Sequence, residues 1–551
     1  MSSKIFKLSS ITLAVAASFG ANAAIYNVYK YEPVVASSSE SFGAAIQPST
    51  VDCWTSTSDG GTDCSIAHTT SQMIAFEEKR FAEGFQYRDE APFFYEVGFE
   101  LLEDDYDGFK NYCVSFLGYN DTLCNDWTTT EYTNGFRNED TNGDFENSTA
   151  FVESTKVTVS SNNVIINSLD STGAVIVGTY QESAAERTRA FIGSTSSTTT
   201  VFNDGARSRA WATEGSLTVG SVSTRATDTN IPDYYSHAAV WDGTNFHQIP
   251  WLSNVGEDGR SMPQASARDL ATVGTTTPTT YAVGYASNEE EIPVAAVFNL
   301  TNLNSIPTSF ISLYENNHGD YNDRFLNSVL NSVNDKGTAV GTAKYRVVNN
   351  GAYSNTLIYV SDVSNSALST TTFTDKFGGI FFEGANGKAG AVNNNDEVVG
   401  AVDNQTHQES GGGKPRSQRA FIAPLNTTNA KAPLNNKAWY LDDLTNDGSS
   451  SSDNNQYRII DATDINDAGV ISGTALYCAG GYDTTAIDSK CNGGTPGAEK
   501  RIAVKLVPIN GATTSDIQDR PVTQADKVDR QGGSLGFLAL TLLGFLGFRR
   551  K

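Results

Sequence analysis

Short apolar runs rich in β-branched residues, broken by Asn, Asp and Gly, recur along this chain. The clearest is NSVNDKGTAVGT at 331–342, which returns as AVNNNDEVVGA at 391–401 and ATDINDAGVISGT at 462–474. Each unit predicts a hairpin. A half-buried strand ends in Asn or Asp, whose side chain hydrogen-bonds local backbone. Gly337 and Gly469 stand where a tight loop requires positive φ, and a second strand ends on Gly341, Gly400 or Gly473, where glycine implies close backbone approach.

Weaker copies precede these. NSLDSTGAVIVGT at 167–179 keeps the whole unit, whereas the segments around Gly220 and Gly284 keep only its second strand. A further apolar strand follows each copy, as at Arg189-Ala190-Phe191, His237-Ala238-Ala239 and Arg419-Ala420-Phe421, and residues 41–46 read as a seventh, broken copy. Several strands per repeat, at periods near or above ~40–50 residues, predict β-propeller blades with loop insertions. The expected fold is all-β, a propeller of six or seven blades. A β-sandwich or a solenoid with Asn-Gly turns is the alternative. The third strands resemble the extracellular repeats named for their His-Ala-Phe strand.

Residues 52–150 interrupt the pattern and hold four of the six cysteines. They are expected to form a disulfide-containing insertion in, or cap on, the first blade, with a helix over 73–85. Asn446–Asn455 and the Gly411–Lys414 region read as exposed loops.

The two ends differ from the middle. Lys4 and Lys7, an apolar stretch from Ile11 to Phe19 and Ala21-Asn22-Ala23 have the order of a secretory signal over 1–23, cut by signal peptidase between Ala23 and Ala24. The repeat domain then spans 24–525. Residues 526–551 form a linker and a tail in which Gly532-Gly533-Ser534 precedes an apolar run and Arg549-Arg550-Lys551. That order resembles the GlyGly-CTERM sorting signal of Gram-negative bacteria. The resemblance implies transient membrane association, cleavage by a rhomboid-like sorting protease, and delivery to the cell surface or outside, often by type II secretion. The whole chain is similar to an uncharacterised secreted gammaproteobacterial family, a domain of unknown function, which brings no catalytic residues with it.

Composition agrees with export. A net charge of −25 with only 38 Lys and Arg excludes the basic footprint of a nucleic-acid binder. An even number of cysteines in an exported chain predicts disulfides. Cys53/Cys64, Cys113/Cys124 and Cys478/Cys491 form sequence-local pairs flanking polar segments, each expected to contribute about 2–3 kcal/mol, although six cysteines allow other pairings.

Chemistry is sparse. Gly532–Gly536 matches G-x-S-x-G, but in the tail rather than between a strand and a helix. The five histidines form no zinc pattern, and His237 sits at a repeat position that favours a structural role. Asp140, Asn142, Asp144 and Glu146 alternate oxygen donors as calcium loops do, but Phe145 replaces the required Gly and no Glu follows at the twelfth position; a solvated acidic turn is the alternative. No catalytic residue is expected. The reading is a surface-displayed recognition or structural module with a glycan or protein ligand. Its binding face would be topped by Phe93, Phe94, Tyr95, Tyr106 and Trp127 beside Asp104, Asp105 and Asp107, unless these aromatics form the insertion's own core. The alternative function is a propeller-type glycan hydrolase or lyase, to be recognised by carboxylates with a His or Tyr converging at one mouth of the channel.

Overall fold

The closing glycines explain the architecture. The computed structural model describes residues 24–33, 40–55, 58–59, 62–64, 71–79, 106–136, 148–158, 163–180, 189–195, 200–201, 207–225, 234–243, 245–252, 263–289, 292–312 and 324–522. Seven antiparallel four-stranded sheets follow one another in chain order, and each is one blade of a seven-bladed β-propeller. The inner strands are Glu40–Ile46, Val164–Leu169, Arg207–Glu214, Ala265–Val273, Phe325–Val333, Gly387–Val392 and Tyr457–Ile465. Gly178, Gly220, Gly284, Gly341, Gly400 and Gly473 all lie in the second strand of their blade, paired with the inner-strand residue beside a β-bulge. A Cβ at any of them would run into an inner-strand carbonyl oxygen, for example that of Val329 at Gly341. The repeat glycine is therefore required by the bulge, which brings the two backbones together.

Gly341→Ala should consequently lower the unfolding free energy by about 2–3 kcal/mol, the scale of overpacking against rigid neighbours. Chemical denaturation measures it. A change within the usual ~0.5 kcal/mol surface range would mean that the strand pair spreads freely and that the bulge does not impose the glycine.

Blade 1 inverts the arrangement. There the glycine is Gly43 on the inner strand, opposite Phe76 on the second strand. Residues 41–46 are thus a genuine blade, with the glycine moved to the other strand. The second strand is Ile74–Lys79, not the helix expected over 73–85. It is held between the inner strand and Ser148–Val152 and buried along Ile74–Glu78, so no helical stripe separates the apolar from the polar side chains.

The turn asparagines do more than cap their own hairpins. Asn334 Oδ1 accepts from the Lys336 and Thr338 amides, while its Nδ2 donates to the Asn393 carbonyl in the next blade (2.8 Å). Asn393 repeats this toward the Asn466 carbonyl (3.1 Å), and Asn466 toward the Gln47 carbonyl in blade 1 (3.0 Å). Asp170 makes the same turn in blade 2 but has no amide to donate. The repeat is most legible in blades 5, 6 and 7, whose asparagines donate along this ladder.

The ring is closed by the start of the described chain. Tyr26–Tyr31 forms the outer strand of blade 7, paired with Glu499–Pro508. Behind this seam Glu153 accepts from Lys505 Nζ (2.5 Å), the Tyr31 hydroxyl (2.8 Å) and the Ile74 amide (3.0 Å). Ala24, the expected first mature residue, is 5% exposed.

Cys53–Cys64, Cys113–Cys124 and Cys478–Cys491 are bonded. The first lies in the connection between the inner and second strands of blade 1. The second lies between the second and third strands, joining Cys113, which opens the helical turn Cys113–Leu117 after the helix Tyr106–Tyr112, to Cys124 in the helix Asp121–Thr128. Gly118, between these helices, stands against Tyr353 and Ser410 in the corresponding connections of blades 5 and 6. The 446–455 loop is not simply exposed. Asn446 and Asn455 are buried, and their amides donate to the Gln518 and Tyr482 carbonyls.

Candidate functional site: the axial cavity

The bulges that pair with the glycines push one residue per blade off the strand register, toward the axis. Asn167, Trp211, Arg268, Asn331, Gly390 and Thr463 stand there, with Ala44 in blade 1, and all line a cavity of about 920 Å³ to which every blade contributes. The cavity continues to the turns between inner and second strands, where Asp170, Glu214, Asp335, Asn394 and Asp467 form its rim.

Two adjacent blades supply its most specific feature. The Arg268 guanidinium lies 3.9 Å from the centre of the Trp211 ring and 5.8 Å from that of Tyr285. Both rings are buried. Stacking of this kind holds the guanidinium plane. Lys388, the other cation among the described lining residues, is paired with Asp461 at 2.7 Å.

The lining carboxylates fall into two groups. Asp269 and Asp464 are staples between blades. Asp269 Oδ2 accepts from the Val333 amide of the next blade (2.9 Å), and Asp464 Oδ2 from the Ile46 amide (2.8 Å). Burial between two inner strands pushes the Asp269 carboxyl up to about 7 and that of Asp464 to about 6, against the hydrogen bonds that pull them down. The rim carboxylates are freer. Asn394 Nδ2 donates to both Asp335 (2.8 Å) and Asp467 (3.1 Å). Glu214 Oε2 has no hydrogen-bond partner among the described residues, and desolvation, with the Asp335 charge second, raises its carboxyl. Among the described lining residues there is no His or Tyr, and among all described residues no group of three metal-ligating side chains is placed to hold an ion.

The sequence pointed elsewhere. Asp140, Asn142, Asp144 and Glu146, the residues from Phe93 to Asp105, and Ala23, Gly532, Gly533 and Ser534 lie outside the described residues. Tyr106 and Trp127 are described and face inward. Trp127 packs on Phe109 (6.2 Å) and Tyr112 (5.7 Å), and Tyr106 on Tyr132 (6.4 Å), so these two belong to the insertion's own core. His237 is structural: it stacks on Trp251 at 3.6 Å, and desolvation lowers it to about 4. Trp211 and Arg268 carried no motif. Their one signal is position, a hairpin ahead of a closing glycine.

Solved structures with similar arrangements include the fructan 1-exohydrolase IIa of Cichorium intybus (10% identity, TM-score 0.23, covering 53% of this chain and 52% of that one). A glycoside hydrolase (11%, TM-score 0.24, 58% and 90%) and the α-L-arabinofuranosidase of Podospora anserina in complex with cellotriose (12%, TM-score 0.22, 54% and 89%) are further examples. The match spans about half of the exohydrolase, and at these scores the likeness carries nothing about activity. No curated protein matches the chain. The model of a family described as protein of unknown function (DUF3466) matches residues 221–551, from the second strand of blade 3 onward, and the chain belongs to that family.

Proposed function

We propose that the mature chain is an exported recognition module that takes its ligand in the axial cavity, through the mouth formed by the asparagine turns. The observation that carries this is the cavity lining. Bulges in successive blades hold Asn167, Trp211, Arg268 and Asn331 at its wall, a set of preplaced polar groups suited to binding. Asp269 and Asp464 are occupied with backbone amides and do not serve as a catalytic pair. Glycan-array and pull-down screens with the mature chain test it: binding lost in Arg268→Gln supports the reading, and ligands that bind irrespective of the cavity residues overturn it.

One feature favours the second reading, a glycan hydrolase. Glu214 has a raised carboxyl, a free oxygen and a second carboxylate, Asp335, near enough to feel, the elements of acid–base chemistry. Turnover of a polysaccharide abolished by Glu214→Gln would establish it in place of recognition alone.

Export and surface display belong to the same proposal, supported by the three disulfides. Mass spectrometry of the native protein should find Ala24 as the first residue and no Phe537–Lys551 peptide. An intact tail on the exported protein would remove the sorting step from the proposal.

A further inference from the structure

We infer that the helical hairpin at 106–136 is a releasable strap. Its tip docks on blades 5 and 6 and clamps the closing arc of the ring from the face opposite the asparagine turns. It lifts off as a unit while the propeller stays folded. The inference is independent of the recognition reading above.

Topology sets the reach of the strap. Second strands run away from the asparagine turns, so their connections to third strands lie on the opposite face. The hairpin occupies that connection in blade 1, between Ile74–Lys79 and Ser148–Val152. Its tip touches the same connections of blades 5 and 6, past blade 7. On the other face the asparagine ladder ties blades 5, 6, 7 and 1. The arc that contains the Tyr26–Tyr31 seam is thus held from both faces.

The tip is shaped for its seat. The Cys113–Cys124 disulfide closes its base, and the Gly118 amide donates to the Cys113 carbonyl (2.9 Å). Gly118 has a φ of 73°, and a Cβ there would stand 2.9 Å from the Tyr353 ring and 3.0 Å from Ser410 Cβ. The Tyr119 hydroxyl donates to Glu409. The seat belongs to both blades. The Glu409 and Ser410 amides each donate to the Gly351 carbonyl at 2.9 Å, and the buried Lys344 Nζ donates to the Tyr353 carbonyl.

The hairpin also carries its own core. Phe109 packs on Trp127 (6.2 Å) and Tyr132 (5.1 Å), and Tyr112 on Trp127 (5.7 Å). Lys110 pairs with Asp121 across the two helices at 2.8 Å. The apolar clusters that knit blades 4 to 7 together include none of its described residues. Hydrogen bonds to a seat are exchanged for bonds to water at small net cost, whereas parting an apolar core exposes its area. Undocking therefore leaves two folded parts, and an element held this way opens well below the global unfolding free energy.

Thiol labelling of the mature, disulfide-bonded chain tests this. Ser410→Cys puts a thiol beneath Gly118, at a position that is 3% exposed. Ser472→Cys, fully buried in the second strand of blade 7, reports global unfolding. The six native cysteines are bonded, so each variant carries one reactive thiol. Maleimide is expected to modify Ser410→Cys at least tenfold faster than Ser472→Cys, and at least tenfold slower than the same thiol in urea-unfolded chain. Tyr119→Phe, which removes one hydrogen bond, and Gly118→Ala, which pushes on Tyr353, should each raise the Ser410→Cys rate at least threefold and leave the Ser472→Cys rate unchanged. Equal rates for the two thiols would show that the strap leaves only when the ring unfolds, and would overturn the inference. A Ser410→Cys thiol as reactive as in the unfolded chain would also overturn it, because no docked state would exist. So would a rate that neither tip variant changes.

Discussion

Raising the pH from about 4.5 to 7.5 is expected to lower the unfolding free energy of the mature chain by several kcal/mol. Among the desolvated carboxyls, four aspartates stand well above the ordinary 3.8. Asp269 and Asp443 rise to about 7, and Asp464 and Asp403 to about 6, with desolvation the largest cause in each. Between the unfolded and folded values the native state holds more protons than the unfolded chain. Stability from these groups is therefore complete below about pH 4 and is lost as pH rises through 6 and 7. Each tenfold change in an acid dissociation constant on folding is worth ~1.4 kcal/mol. Asp269 and Asp464 are half-buried and graze the channel, so solvent screening discounts each to about 1–2 kcal/mol.

His237 opposes the trend. Its value falls to about 4, so its contribution is present above 6.5 and lost as pH falls, but it is one group against four. The net charge of −25 adds self-repulsion as carboxyls ionise, in the same direction as the aspartates. Chemical denaturation at several pH values checks the sign, and Asp269→Asn should flatten the slope by that residue's share. Stability that climbs steadily over the interval would refute the assignment.

The largest single-residue effect should come from Asp442. This carboxylate is fully buried beside Asp443, among Arg419, Arg458 and Arg520, none of them more than 8% exposed. Asp442 Oδ1 accepts from the Ile459 amide at 2.8 Å. Its Oδ2 lies 3.2 Å from Arg419 Nε, close enough for ion pairing yet not aligned as a hydrogen bond, which leaves both atoms without such a partner. Arg520, near the end of the described chain, donates to the Asp442 and Thr485 carbonyls and to Asn455 Oδ1, and its amide to Asp443 Oδ1. The network ties residues 514–520 to blades 6 and 7.

Removing Asp442 leaves three buried cations facing one carboxyl that burial pushes toward neutrality. Asp442→Ala should therefore cost about 3–5 kcal/mol, the scale for an uncompensated buried charge. Glu32→Ala, which breaks the exposed pair with Lys30 at 2.7 Å, should stay within ~1 kcal/mol. Equal small losses in both variants would show that the buried arginines are satisfied by carbonyls alone.

Both features lay outside the reach of the sequence, for a shared reason. Desolvation and charge pairing depend on which strands a fold brings together, and Asp269 is separated from Val333, or Asp464 from Ile46, by whole blades. The blades themselves were legible because their signal is local. A glycine opposite a bulge, an Asn that caps its own hairpin and a β-branched strand are set by neighbours within one hairpin, and their recurrence announced the propeller. Where a blade departs from the local rule, as blade 1 does by moving its glycine to the inner strand, the pattern blurred and its second strand passed for a helix.

The sequence by itself determined the repeat, the strands and the glycines that the bulges require, because each follows from contacts a few residues apart; it favoured the sequence-local disulfide pairs without deciding them. The tertiary structure alone decided the number of blades, the closure by Tyr26–Tyr31, the asparagine ladder and the cavity. Trp211 and Arg268 form a stack only because ring closure sets two adjacent inner strands side by side around an axis, and no feature of either strand alone encodes that meeting.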